Sequence, residues 1–169
     1  MFIKTIDQIS EFTGKLSAWG LFAIGFFITF EIVMRYAFIA PTIWVDEVSR
    51  IIQIWAIFLA APYVLKAREM VTIELILKDP NSLGRKVAET FAILVLFVFA
   101  TVAAYYGFQL WLKSTLLGHT TDTYLAPPKM LTHAPVWVGC VLLILQGFCE
   151  LTRVWTGQIP EDDIMGGAH

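Results

Sequence analysis

Eight side chains able to carry charge, hydrogen bonds or an aromatic anchor fall within one short stretch: Glu31, Arg35, Tyr36, Trp44, Asp46, Glu47, Arg50 and Gln53. Their spacing favours ion pairing. Glu31 and Arg35 stand four residues apart, as do Asp46 and Arg50, and that separation stacks two side chains on one helix face. The connection between the two pairs, about Tyr36 to Ile43, contains Pro41 and is short enough to make the flanking helices antiparallel neighbours. Counted inward from this turn, Glu31 reaches the depth of Arg50, and Arg35 that of Asp46, so crossed pairs between the helices are also available. Three readings of this chemistry stand side by side: a hairpin fixed in register by paired charge, a contact surface for another membrane subunit, and an ion site in a transport path. Trp44, at the boundary, reads as an interfacial anchor.

Other chemistries lack their residues. Bis-histidine haem ligation needs histidines on facing helices, but His119 and His133 lie in or beside a loop and His169 is the last residue. Cys140 and Cys149 stand nine apart on one helix and face opposite ways, which is not the paired-thiol spacing of a redox centre. Metal-ligand spacings, Gly-rich phosphate loops and Ser-nucleophile motifs are absent. No catalytic residue, metal or cofactor is assigned, and the expectation is a protein that is not an enzyme. Glu150 and Arg153, three apart, read as interfacial charge. The 113–134 segment, with Gly118, Thr121, Asp122, Thr123 and nearby prolines, combines turn chemistry with exposed hydroxyls and suits contact with a partner protein.

These residues must be positioned by very apolar elements. Of 169 residues 57% are hydrophobic and 15% charged, against ~25% charged in an average soluble domain. A formal net charge of −2 offers no basic footprint for nucleic acid. Charge is sparse over 16–34, 51–65, 90–112 and 130–149, and a bilayer core of ~30 Å takes ~20 helical residues. The segments do not alternate as barrel strands do. The expected fold class is an all-α integral membrane protein: a transmembrane domain over 14–155, with spans at about 14–35, 46–66, 87–112 and 134–155. Small residues at helical spacing (Ala56 and Ala60, Ala100 and Ala104, Ala103 and Gly107) predict close helix contacts, and Pro62 predicts a kink. Residues 1–13 carry Phe2, Ile3, Ile6 and Ile9 on one face and Lys4, Asp7, Gln8 and Glu11 on the other, the pattern of an interfacial amphipathic helix lying on membrane lipid. A second apolar stretch, Met70 to Leu77, lies in the middle loop, and 156–169 reads as a polar tail. Eight Lys and Arg fall on the side of both termini and four on the other, which predicts cytoplasmic N and C termini.

The run Arg35-Tyr36, then Trp44-Val45-Asp46-Glu47, Arg50, Trp55-Ala56-Ile57-Phe58 and Arg68-Glu69 resembles the small permease subunit of TRAP transporters, the DctQ type. The stretch from Gly118 to Leu125, followed by Pro128 and Pro135, is similar to the loop before that family's fourth helix, and the likeness covers roughly residues 10 to 155. Asp46 stands where Glu is more usual. The resemblance implies a tripartite system of the bacterial inner membrane. A soluble periplasmic binding protein captures an organic acid. A large permease subunit carries substrate and sodium sites and moves them in an elevator-type motion. This chain would be the non-transporting partner, with Glu31, Arg35, Trp44, Asp46, Glu47, Arg50 and Trp55 at a structural or subunit interface. The loop bearing Gly118, Thr121, Asp122 and Thr123 would help dock the binding protein. The residues alone leave two alternatives: a four-helix proton-coupled exporter acting as a homodimer around Glu31, and a membrane-anchored redox enzyme.

Overall fold

The computed structural model describes residues 2–67 and 83–156. They form four helices, α1 (Phe2–Ala37), α2 (Trp44–Lys66), α3 (Leu83–Leu116) and α4 (Lys129–Thr156). Each is long and apolar enough to cross a membrane. Among the described residues the sole β feature is a bridge between Thr120 and Pro128. The four expected spans each fall inside one helix. The Met70–Leu77 stretch and the tail beyond Thr156 lie outside the described residues.

The helices run further than their apolar cores. The amphipathic segment at residues 1–13 is helical from Phe2, but it is the start of α1 rather than a separate helix. Nothing breaks the chain there: Thr13 and Ser17 return their hydroxyls to the carbonyls of Ser10 (3.0 Å) and Thr13 (2.8 Å), which keeps both side chains on the helix. At the other end of the chain, α4 starts at Lys129 and takes in Pro135, which the sequence places beside a loop.

The helices pack as an open row in the order α1, α2, α4, α3, with α1 also reaching α4 near the chain termini; α3 packs closely on α4 alone. Exposure is inverted relative to a soluble protein. The buried stripe of α1 is mostly small and polar (Ser10, Thr13, Gly14 and Ser17, beyond Ile6), whereas Phe12, Trp19, Phe22 and Phe26 face outward. Lipid solvates large apolar side chains, so helices gain most by pressing small residues together. At Gly14 a Cβ would stand 2.4 Å from the Tyr63 ring, and at Gly139 it would stand 2.6 Å from the Phe58 carbonyl oxygen. Lying between α2 and α3, α4 has neighbours on both sides, which is why Cys140 and Cys149 are both buried although they face opposite ways.

Two prolines fix how α2 meets α4. Within a helix Pro cannot donate to the carbonyl four residues back. Pro62 therefore frees the carbonyl of Phe58, and Pro135 frees that of Leu131; both prolines lie inside continuous helices and are buried. Each freed oxygen meets the opposite helix. The Trp55 indole donates to the Leu131 oxygen at 3.0 Å. Gly139 turns its Cα–H side to the Phe58 oxygen, where a side chain would collide. These contacts make α2 and α4 parallel neighbours in fixed register.

Candidate functional site

Most of the polar residues singled out in the sequence gather at the end of the row where the 38–43 and 117–128 connections lie. Glu31 is buried, and its Oε1 accepts from Arg35 Nη2 (2.7 Å) and Nε (3.1 Å). Its Oε2 accepts from the Thr42 backbone N–H at 2.8 Å and from the Thr42 hydroxyl. One carboxylate thus ties the last turns of α1 to the residue that leads into α2. The tie spans a strained turn: Ile39 has φ +54, uncommon for a β-branched residue. Trp44 packs edge-on against Phe27 at 5.8 Å and tilted against Phe30 at 6.2 Å, closing the same corner from the apolar side.

Glu47 reaches the other connection. Its carboxylate accepts from the Thr123 hydroxyl (2.9 Å) and from the Leu125 backbone N–H (3.0 Å). The loop is itself folded. Gly118, at φ +61, is the left-handed residue that ends α3, with His119 N–H returning to Ser114 O at 3.0 Å. Thr121 N–H donates to Pro127 O (3.0 Å) and Lys129 N–H to His119 O (2.9 Å), so the loop doubles back as a small hairpin. Asp122, Thr123 and Tyr124 lie exposed at its tip. Trp55, about two helical turns below Glu47, completes the seam through Leu131.

Asp46 and Arg50 depart from expectation. Both are exposed, and among the described residues neither the i,i+4 pair between them nor the crossed Glu31–Arg50 pair closes. Arg35 is taken by Glu31, with Asp46 adding only a longer-range attraction. Val45 and Ser49 occupy the buried side of α2, which leaves Asp46 and Arg50 on its exposed side, where an ion pair gains little.

A second polar cluster joins α1 to α4 near the chain termini, and sequence reasoning reached only its local part. Arg153 lies between Glu150 and Asp7, paired with both. Gln146, fully buried, accepts from the Ser10 hydroxyl at 2.8 Å and donates to Glu150 (3.0 Å) and Asp7 (3.2 Å). Lys66 of α2 adds contacts to the Asp7 carbonyl and the Glu11 carboxylate, both at 3.4 Å. The available signal was a lone Gln inside an apolar run, one helical turn before Glu150. At both ends of the row the arrangement does the same chemistry: each buried carboxylate is neutralised by an arginine and bonded onward, which holds helices rather than leaving a group free to bind or transfer a proton. Among the described residues no cluster of His, Cys, Asp and Glu is placed to hold a metal.

No curated protein matches the chain. The family model for the DctQ component of tripartite ATP-independent periplasmic transporters matches residues 24–157, which takes in all of α2, α3 and α4, the part of α1 from residue 24 onward and both turn-end connections. Three whole membrane-spanning helices, the later part of α1, the hairpin tied at Glu31 and the loop tied at Glu47 thus sit within a match covering most of the chain, and the protein belongs to the DctQ family of TRAP transporter small subunits.

Proposed function

We propose that the chain is the non-transporting small subunit that supports a large permease subunit in sodium-coupled uptake of an organic acid delivered by a periplasmic binding protein. One observation carries the reading beyond family membership. The four helices are continuous, they lie in an open row, and the buried carboxylates Glu31 and Glu150 stand near opposite ends of that row, each beside an arginine. Secondary transporters build substrate and ion sites near the bilayer midplane, often from discontinuous helices. Here the middle levels of the row hold Ala56, Ala100 and Cys140. Glu31, fastened to Arg35 and Thr42, is poorly suited to the proton cycle of an exporter. In the bacterial inner membrane, the excess of Lys and Arg puts both termini in the cytoplasm. The Glu47-tied loop then faces the periplasm, where Thr121, Asp122 and Thr123 are available to the binding protein.

The test is reconstitution. Proteoliposomes holding this chain alone should take up no organic acid under a sodium gradient. Those holding it with the large permease subunit, supplied with loaded binding protein, should. Sodium-driven uptake by the lone chain would overturn the reading.

A further inference from the structure

α2 is flanked by α1 and α4, yet one of its faces is uncovered from end to end. Apart from Trp44 at its start and Tyr63 near its finish, the exposed residues of α2 are Asp46, Arg50, Gln53, Ile57 and Val64. With half-buried Ala60 they follow the spacing 46, 50, 53, 57, 60, 64, alternating four and three. That is the 3.5-residue repeat of a seam into which a second helix packs at a shallow crossing angle. In the middle stretches of α1 and α3 the exposed positions are mostly apolar and suit lipid, as at Phe22, Phe26, Phe91 and Val98; their exposed Lys4, Gln8, Lys15, Arg35, Gln109 and Lys113 lie toward the ends of helices that overshoot the hydrocarbon core.

The outer half of the α2 seam does not suit lipid. α2 is 23 residues long, about 35 Å, scarcely more than the ~30 Å hydrocarbon core. Gln53 lies about 14 Å along the axis from Trp44, well inside that core. Among the described residues Arg50 and Gln53 make no hydrogen bond and no ion pair. Arg50 can reach the headgroups with its long stem, but the shorter Gln53 carboxamide cannot. Polar side chains at such depth face protein or water rather than acyl chains.

Resting on the subunit reading above, we infer that the α2 seam receives one transmembrane helix of the large permease subunit, which sets a carboxylate opposite Arg50 and a hydrogen-bonding side chain opposite Gln53. Toward the cytoplasmic end, Ile57, Ala60 and Val64 supply the apolar and small-residue part of the contact. A second copy of this chain fits less well. Copies inserted in the same orientation are related by an axis along the membrane normal, which brings Arg50 to the depth of Arg50, like charge against like.

The experiment uses the co-expressed complex, purified through a tag on the large subunit. A photo-crosslinking amino acid is placed singly at Ile57 or Val64 on the seam, or at Phe26 of α1 or Val98 of α3. Crosslinks to the large subunit from Ile57 and Val64, with none from Phe26 and Val98, are expected. Gln53→Leu should lower the recovery of this chain with its partner several-fold while leaving its own thermal midpoint in detergent unchanged. An intact complex that crosslinks only from Phe26 or Val98, or in which Ile57 crosslinks to a second copy, overturns the assignment of the face. Failure of the two chains to co-purify in any form overturns the subunit reading itself, and the face assignment with it.

Discussion

Trp55→Phe tests why α4 tolerates a proline inside its apolar span. The indole Nε1 donates at 3.0 Å to the Leu131 oxygen, the acceptor that Pro135 leaves without a helical donor. Phenylalanine keeps most of the aromatic surface and removes the donor. A neutral hydrogen bond is worth about 0.5–1.5 kcal/mol net, and an acceptor left unpaired away from water costs about 1–3 kcal/mol. Leu131 stands near the turn end and is partly exposed, which argues for the lower part of that range, about 1–1.5 kcal/mol. Spread over 169 residues, this lowers the thermal midpoint by roughly 2–6 °C. The decisive arm is Pro135→Ala. Alanine restores the backbone donor, so Leu131 keeps a partner without Trp55, and Trp55→Phe should then cost roughly 1 kcal/mol less than in the parent. Thermal midpoints of the four proteins in one detergent close the cycle, with the five remaining tryptophans as reporters. An equal cost of Trp55→Phe in both backgrounds would show that the indole does not serve the proline-freed carbonyl.

Gly139→Ala should be among the most damaging small substitutions, costing about 1–3 kcal/mol, because the new methyl meets helix backbone that cannot rotate aside; Gly25→Ala, with open space around it, should leave the midpoint unchanged. Arg153→Met should strand Asp7 and Glu150, and the cycle with Asp7→Asn should be non-additive by about 1–3 kcal/mol in chemical unfolding. Glu47→Ala should speed amide exchange at Leu125 and expose the 121–126 tip to protease while the helices keep their protection. In intact cells a cysteine placed at Thr121 should react with an impermeant reagent and one placed at Lys4 should not; the reverse result would invert the topology.

The helices were legible because the bilayer imposes long charge-free runs that no soluble pattern imitates. Within the site, legibility followed sequence separation. Glu31 and Arg35 pair as their spacing predicts. The same spacing between Asp46 and Arg50 yields no pair: the packing of Val45 and Ser49 leaves both side chains exposed, where an i,i+4 ion pair gains little, and that packing is tertiary. The resemblance puts Glu47 at an interface, but its partners lie 76 and 78 positions away in a loop whose fold no local rule fixes. The amphipathic pattern turns Asp7 to the polar face; its ion pair with Arg153 depends on α1 meeting α4, a contact that crosses almost the whole chain. In the sequence Trp55 stands out by family likeness alone, and its role emerges only once the register of two prolines on parallel helices is known.

The unequal helix lengths bear on how the chain meets membranes of different thickness. At 36 and 34 residues, α1 and α3 run to about 54 and 51 Å, far beyond any hydrocarbon core, and can rise, sink or tilt as acyl chains lengthen. With its 23 residues α2 has almost no slack. Long-chain lipids therefore strain the row in its interior and leave its two edges relaxed. Beside α2 the bilayer must pinch, or Trp44 and Arg50 must be drawn below the headgroups, at fractions of a kcal/mol per Å of mismatch. A protein helix lying along α2 in place of lipid removes that deformation, so acyl-chain length becomes a dial on assembly: the thicker the membrane, the more this chain should favour its bound state.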